Sequence, residues 1–322
     1  MTKTRPSLLV TGLCPDGSNT NSRIRQAVST GANQTQLFSK VDELPIEGVI
    51  ARKDIDYDIV LAVGSGTLDT VPFENIHRRV QKNNGVVIFW THEDPYEFDL
   101  NRRLLPYCDL FFTNEKSSLS FYNNANVSWL PLAADLSYSR PLQPFINRSL
   151  DMFFCGYGYP LRMHILEKFI ASDVSRFNVG IFGPNLRPVL GTAASDRRLS
   201  TDEMADICAS SRLVLNIGRD LNIANNRYNI VAETPGPRTF DVALSGAPQI
   251  LFNDGVLIDH FYEPGKEIIL FDNISDIIDS LDMLNKYPAE GEKVAQAAQK
   301  RTQNQHLYRH RIVEMMEILG DI

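Results

Sequence analysis

Short, unbroken apolar runs that end in glycine or a polar loop recur along this chain, each followed by a segment of helical character. No other property of the sequence narrows the fold as much. SLLVTG at 7–12, DIVLAVGSG at 58–66, GVVIFW at 85–90, CDLFFTN at 108–114 and VSWLPLA at 127–133 make up the first series. The spacing between them predicts helices over 21–28, 73–82, 98–105 and 116–122. Strands that are apolar throughout must be covered on both faces, and their alternation with helices specifies a parallel sheet.

From 135 to 148 the periodicity stops, with Pro141 and Pro144 breaking the stretch, which reads as a linker. The pattern then resumes. LDMFFCG at 150–156, FNVGIFG at 177–183, RLVLNIG at 212–218, PQILF at 248–252 and EIILF at 267–271 are strands, with helices expected over 161–170, 201–210, 274–284 and 290–301. A chain of 322 residues is long for one core, so an α/β fold of two doubly wound, Rossmann-like domains is expected: 1–140, 141–305, and a terminal stretch at 306–322. Open sheets of this kind bind ligands at the carboxyl ends of their strands. About 20 residues between Ile217 and Arg238 carry no strong pattern, and in a compact domain such a length is a functional loop or a small added element.

Charge and cysteine usage exclude several classes. A net charge of -7 argues against a protein that grips nucleic acid through its phosphates. Cys14, Cys108, Cys155 and Cys208 are scattered without a C-x-x-C, which fits buried free thiols and no disulfide framework. No apolar stretch approaches the length of a membrane span and the N-terminus has no signal-peptide core, so a cytoplasmic protein is expected. Asp54-Ile55-Asp56 lies before its strand, on the wrong side of the sheet for a metal-binding acid pair. His306 and His310 are four apart without a third ligand, and no metal is expected.

Chemistry concentrates in ETPGPRTFDVALSG at 233–246. Pro235, Gly236 and Pro237 force a turn, and Thr239 to Leu244 form a short helix stopped by Gly246. A helix that begins directly after such a turn offers its first amides and its positive end to an anion. Glu233 stands before the turn and Asp241 on the helix, a layout suited to a phosphate flanked by sugar hydroxyls. The competing reading makes Glu233 a solvated loop carboxylate and Asp241 a partner of the helix dipole.

These residues also carry a resemblance. Glu233 followed seven residues later by Asp241 is similar to the E-x7-E motif of retaining group 1 glycosyltransferases of GT-B architecture. RTFD at 238–241 with LSGA at 244–247 resembles the RTFE…ACGA signature of their CgeB-like (spore maturation) branch, and FYEPGKE at 261–267 resembles its FEPGKE. TNEKSSLSFY at 113–122 and WLPLAAD at 129–135 match more loosely. The resemblance implies two Rossmann-like domains facing across a cleft, with the last helix returning to the first domain. It implies that Glu233 contacts the transferred sugar, that Asp241 contacts the nucleotide ribose, and that Gly236, Pro237, Arg238 and Thr239 surround sugar and diphosphate. Asp241 is one methylene shorter than the family's usual Glu.

In GYGYPLR at 156–162, Gly156, Tyr157 and Gly158 open the second domain's first turn, and Arg162 stands six residues after Gly156, where the wider family has a diphosphate-binding Lys. Tyr157 replaces the family's other cation, leaving Arg238 or Arg219 to supply the charge; the plainer reading is that the glycines only permit a tight turn. THEDPYEFD at 91–99 follows a strand, and His92, Glu93 or Asp94 could position or deprotonate an acceptor hydroxyl, or simply start a helix. Ser65, Gly66 and 12–18 are further strand-end loops expected on the acceptor side. The resulting expectation is transfer of a sugar from a nucleoside diphosphate sugar to an acceptor hydroxyl, with retention and with no metal or other cofactor. The acceptor is open among glycan, small molecule, protein and modified nucleic acid. A nucleotide-sugar epimerase or hydrolase, or a non-enzymatic nucleotide-sugar-binding module, are the alternatives.

Overall fold

In the computed structural model, residues 5–13, 19–65, 69–123 and 126–320 are described. The chain divides into two compact units. The first comprises 1–132, 222–234 and 308–322; the second comprises 133–221 and 235–307.

The first unit runs β1 (Ser7–Gly12), α1 (Asn19–Thr35), β2 (Lys40–Glu43), α2 (Ile46–Ala51), β3 (Ile59–Gly64), α3 (Val71–Gln81), β4 (Val86–Thr91), α4 (Phe98–Asn101), β5 (Leu110–Thr113), α5 (Leu119–Tyr122) and β6 (Val127–Trp129). Its six strands form one parallel sheet in the order β2-β1-β3-β4-β5-β6. Strand β3 is buried at every position and β4 at all but its first, as the continuous apolar runs require. Ile59 to Val63, Val87 to Trp90 and Leu110 to Phe112 form the centre of the core.

The second unit runs β7 (Leu150–Cys155), α6 (Pro160–Ala171), β8 (Val179–Phe182), α7 (Arg187–Leu190), α8 (Thr201–Ala209), β9 (Ser211–Asn216), α9 (Pro237–Leu244), β10 (Gln249–Phe252), β11 (Ile269–Phe271), α10 (Ile274–Lys286) and α11 (Pro288–Gln305). Its five strands are also all parallel, in the order β11-β10-β9-β7-β8. The N-termini of α8 and α10 carry reciprocal capping boxes, Ser200 with Glu203 and Asn273 with Asp276. Met152, Phe154, Leu166, Phe169, Leu213 and Ile250 lie at the heart of its core.

Both sheets share one topology. Counting strands within each unit, the order is 2-1-3-4-5, with a sixth strand added beside the fifth in the first unit, so the winding reverses between the first and third strands: β1 and β3 in the first unit, β7 and β9 in the second. Ligands of open α/β sheets bind outside the carboxyl ends of the strands at such a reversal.

The units differ from the expected 1–140 and 141–305 in two respects. The stretch expected to link the domains is part of the second unit from Ala133 onward. It is held there by 3-10 turns at Leu136–Tyr138 and Phe145–Asn147 and by the buried Arg148, which donates to the carbonyls of Ser211 and Gly246. The patternless stretch splits: 222–234 belongs to the first unit. There Ile223 and Ala224 donate to the Tyr96 carbonyl, Asp99 donates to the Ala224 carbonyl, and Tyr228 meets Phe98 edge-on and lies tilted against Phe121.

The final helix, α12 (Tyr308–Gly320), returns to the first unit. It crosses α1 at Gly31, where an added Cβ would lie 2.8 Å from the Arg309 nitrogen, and Tyr308 sets its ring edge-on to Trp90. His306 precedes this helix and belongs to the second unit, so the two histidines do not share a helix.

Candidate functional site

At the strand reversal of the second unit the carboxyl ends of β7 and β9 part around a cavity of about 150 Å³. Its lining includes Cys155, Gly156 and Tyr157 from the end of β7, Asn216 from the end of β9, and the arginines Arg162 and Arg238. Pockets that hold a whole drug-sized ligand run to roughly 300 Å³ or more. A space of half that size with two guanidiniums suits one compact anionic group.

Each arginine is aimed by main-chain carbonyls. Arg162 Nε donates to Ile217 and Gly218 at 3.0 and 3.1 Å, and its Nη1 donates to Tyr157 at 3.2 Å. Its guanidinium lies 5.0 Å over the Tyr159 ring. Arg238 Nη1 donates to the Cys155 carbonyl at 3.3 Å. The glycines of the turn have specific work. A Cβ at Gly156 would stand 2.9 Å from Arg162 Nη1, and one at Gly158 would stand 2.3 Å from the Asn185 carbonyl oxygen. Gly156 therefore makes room for the cation, and Gly158 lets two strand-end loops touch.

Arg219, the other candidate cation, donates from Nε to its neighbour Leu221 and lies 5.5 Å over Tyr159, outside the lining named above. Tyr157 remains 40% exposed, with its hydroxyl accepting from Asn185 Nδ2.

The turn and short helix at 233–246 form as expected: Gly236 is the N-cap of α9 and Pro237 its first residue. A buried lattice fixes the helix. Asn216 Nδ2 donates to Thr239 Oγ1 at 3.0 Å, and Gln249 Nε2 donates to the Thr239 carbonyl at 2.8 Å. The amide supply is narrower than the expectation of an open helix end. Pro237 has no N–H, and the Thr239 N–H returns to the Gly236 carbonyl at 3.1 Å. At α6 the Leu161 amide is likewise taken, by Asp220 at 2.8 Å.

Asp241 requires a correction. It is 1% exposed, and its Oδ1 accepts the Asp135 N–H at 3.0 Å. The carboxylate faces inward and anchors the start of the second unit, so contact with a ribose is not what this geometry provides.

Glu233 and Asp241 fall in different compact units. Glu233 is half-buried, and its N–H donates at 3.2 Å to Glu115, a residue not singled out from the sequence as part of a site. Glu115 is 1% exposed. Its Oε1 also accepts from Ser117 N and Oγ and from Thr234 Oγ1, and its Oε2 accepts from Thr234 N at 3.1 Å. One carboxylate thus fastens the Glu233–Thr234 backbone to the loop after β5. Burial lifts its pKa to about 7, against hydrogen bonds that favour the anion. The Glu233 carboxylate itself has no hydrogen bond or ion pair among the described residues.

The acceptor-side candidates are also corrected. Asp94 is 2% exposed and its Oδ2 accepts from Thr113 Oγ1 at 2.6 Å, Tyr122 hydroxyl at 2.5 Å and Thr91 Oγ1 at 3.2 Å. Its Oδ1 accepts from Asn101 at 2.6 Å. It ties four elements of the first unit together, β4, α4, β5 and α5, with both carboxylate oxygens engaged by the protein itself. His92 is 6% exposed, its Nε2 is 3.2 Å from Ser65 Oγ, and burial followed by the charge of Arg23 lowers its pKa to about 3. A base that weak takes up little proton near neutrality. Gly66 and 14–18 lie outside the described residues.

Cys108 and Cys155 are half-buried free thiols and Cys208 is a buried one, whose pKa burial pushes up to about 12. Cys14 lies outside the described residues. Among the described residues, no group of three or more His, Cys, Asp or Glu could hold a metal ion, and no helix is long and apolar enough to cross a membrane.

Comparison with known proteins places this geometry. Residues 162–317 match the family described as glycosyl transferase-like. The spore protein CgeB of Bacillus subtilis (strain 168) is 21% identical over 235 residues, covering 67% of this chain and 69% of that protein. Among solved structures, Anabaena HepE in complex with UDP and glucose superimposes with a TM-score of 0.66 at 11% identity over 98% of this chain and 100% of its own. Sucrose-phosphate synthase from Thermosynechococcus elongatus gives 0.66 at 9% identity, with 98% of each chain covered. Taken with the two parallel sheets and the returning helix, these likenesses show a GT-B fold, with residues 162–317 similar to the glycosyl transferase-like family and the chain similar to the spore protein CgeB.

Proposed function

We propose that the protein transfers a sugar from a nucleoside diphosphate sugar to an acceptor hydroxyl, with retention and without a metal or other cofactor. The observation that carries this reading is the cavity at the β7/β9 strand reversal, into which Arg162 and Arg238 converge. A UDP-bound structural relative supports the nucleotide as the ligand class.

Breaking the bond between the anomeric carbon and the diphosphate oxygen leaves positive charge on the sugar and negative charge on the leaving oxygens. Fixed guanidiniums held by carbonyls stabilise the latter without reorganising. The new bond forms between the acceptor oxygen and the same anomeric carbon, and the acceptor's proton passes to the departing phosphate. Glu233, whose carboxylate no described residue engages, is the proposed partner of the sugar's hydroxyls. Gly156, Gly236 and Thr239 shape the surround of the diphosphate, and a cytoplasmic setting, where nucleotide sugars are available, belongs to the same reading.

Thermal shift against a panel of nucleoside diphosphates and their sugars tests the proposal. A true ligand at about 100 times its Kd adds roughly 2.7 kcal/mol of stability. A flat response to every nucleotide diphosphate would sink it.

A further inference from the structure

We propose that the first unit carries a binding site for a phosphate-bearing small molecule, formed by Arg102, Arg103 and Arg227. These arginines line a cavity of about 540 Å³, together with Asp99, Leu105 and Pro106. The volume falls within the range of small-molecule sites, roughly 300 to 1,000 Å³.

Charge points to an anion. The chain as a whole carries -7, yet three of the six residues lining this cavity are arginines. Among the described residues none of them has a carboxylate within ion-pair distance; the ion pairs of this chain involve other residues. The one acid in the lining is already engaged: Asp99 Oδ2 accepts the N–H groups of Asn226 and Arg227 at 2.9 and 3.2 Å. Three like charges sharing a concave surface repel one another unless an anion joins them. Guanidinium forks match the geometry of phosphate oxygens, and Leu105 and Pro106 supply an apolar wall for the rest of the molecule.

The backbone that carries the three arginines is fixed in advance. Arg102 and Arg103 start the 3-10 turn Arg102–Tyr107, which the fully buried Leu104 pins to the core. Asn101, immediately before it, is fully buried and donates to Asp94. Arg227 arrives from the segment at 222–234. There the fully buried Asn225 closes its own loop, with Nδ2 donating to the Ile230 carbonyl at 2.8 Å and Oδ1 accepting the Ile230 N–H at 3.0 Å. Residues more than a hundred positions apart in the chain are thus set around one cavity before any ligand arrives, which lowers the ordering cost of binding. The cavity shares no residue with the donor site proposed above, and its role does not depend on the reaction assigned there.

The test is calorimetric titration of the whole chain with inorganic pyrophosphate at low ionic strength, after saturation with UDP so that any donor-site binding is already filled. Wild type is expected to bind one further equivalent. The Arg103→Ala/Arg227→Ala variant should lose at least tenfold in affinity, and the corresponding double lysine variant should recover part of it. Both side chains are exposed, so melting temperatures should match wild type. Arg162→Ala should leave this equivalent unchanged; if UDP fails to bind at all, titration of the Arg162→Ala chain still reads the site separately from the donor assignment. A parallel titration with orthophosphate and glucose 6-phosphate distinguishes a pocket that reads the anion alone from one that also reads the attached group, tighter binding of the latter marking a phosphosugar. No saturable pyrophosphate equivalent in wild type, or one that persists undiminished in the double alanine variant, would overturn the proposal.

Discussion

The two units have the same strand order and treat the charges at their strand ends in opposite ways. In the first, the acids that follow β4 and β5 are consumed by the protein itself: Asp94 accepts four side-chain hydrogen bonds and Glu115 fastens a returning segment. In the second, the arginines near β7 and β9 are aimed by carbonyls toward a cavity. A charged residue at the carboxyl end of a strand therefore marks a site only when its hydrogen bonds leave it facing outward. Position on the topology is necessary, and satisfaction of the group decides.

The sharpest way to break this contrast is Asp94→Ala. Stranding four buried donors should destabilise the first unit by about 3 to 5 kcal/mol, seen as a fall in chemical-denaturation midpoint; a near-neutral change would return Asp94 to the list of functional acids. Next comes Arg162→Ala, which should lower sugar-transfer turnover roughly a hundredfold, on the order of 3 kcal/mol of transition-state stabilisation, while the melting temperature holds. Unchanged turnover would remove the cavity from the mechanism.

Glu115 gives a pH signature. Its pKa is raised in the folded chain, so the folded state holds the proton more tightly than the unfolded one. Its contribution is most favourable below the ordinary carboxylate range and is lost as pH rises toward about 7, by up to about 3 kcal/mol. His92 acts in the reverse direction: with a folded pKa lowered to about 3, its contribution is present above pH 6.5 and lost on acidification. Comparing wild type with Glu115→Gln across pH 5 to 8 isolates the first effect, and identical pH profiles would refute it. The smallest effect is expected for Asp241→Asn, about 1 kcal/mol of stability with nucleotide affinity unchanged. A large loss of affinity for the nucleoside but not for pyrophosphate would restore the ribose contact.

The fold is largely legible because its strands are continuous apolar runs. Where that signal fails, so does the expectation. β2 is KVDE, a polar edge strand paired only with β1, and neither it nor α2 is expected from the sequence. Helix α1 runs from Asn19 to Thr35, well past the stretch predicted for 21–28, because Gly31 packs on α12, a contact that local sequence cannot express. For the site, the spacing of Arg162 from Gly156 and the Gly-Pro turn before Arg238 point to two cations that the fold brings to one cavity. Asp94, His92 and Asp241 look functional because acids and a histidine at strand ends are the usual tools of catalysis. Their engagement depends on partners such as Tyr122, Ser65 and Asp135, which only the folded chain brings near. Glu115 has a weak local signal, its cap on the Ser117 amide, but its bonds to Glu233 and Thr234 span more than a hundred residues.

The excursion at 222–234 has a consequence for how the molecule can be taken apart. With unit junctions after residues 132, 221, 234 and 307, the polypeptide passes from one unit to the other four times. A protease cutting after residue 132 would leave three covalent tethers intact. Nor can either unit be expressed by simple truncation: 133–307 alone would carry Tyr228 without Phe98 and Phe121, and 1–132 alone would lack both the strap that fills that aromatic pair and the closing helix. Excising 222–234 and bridging the gap with a short flexible connector would free the second unit for separate study.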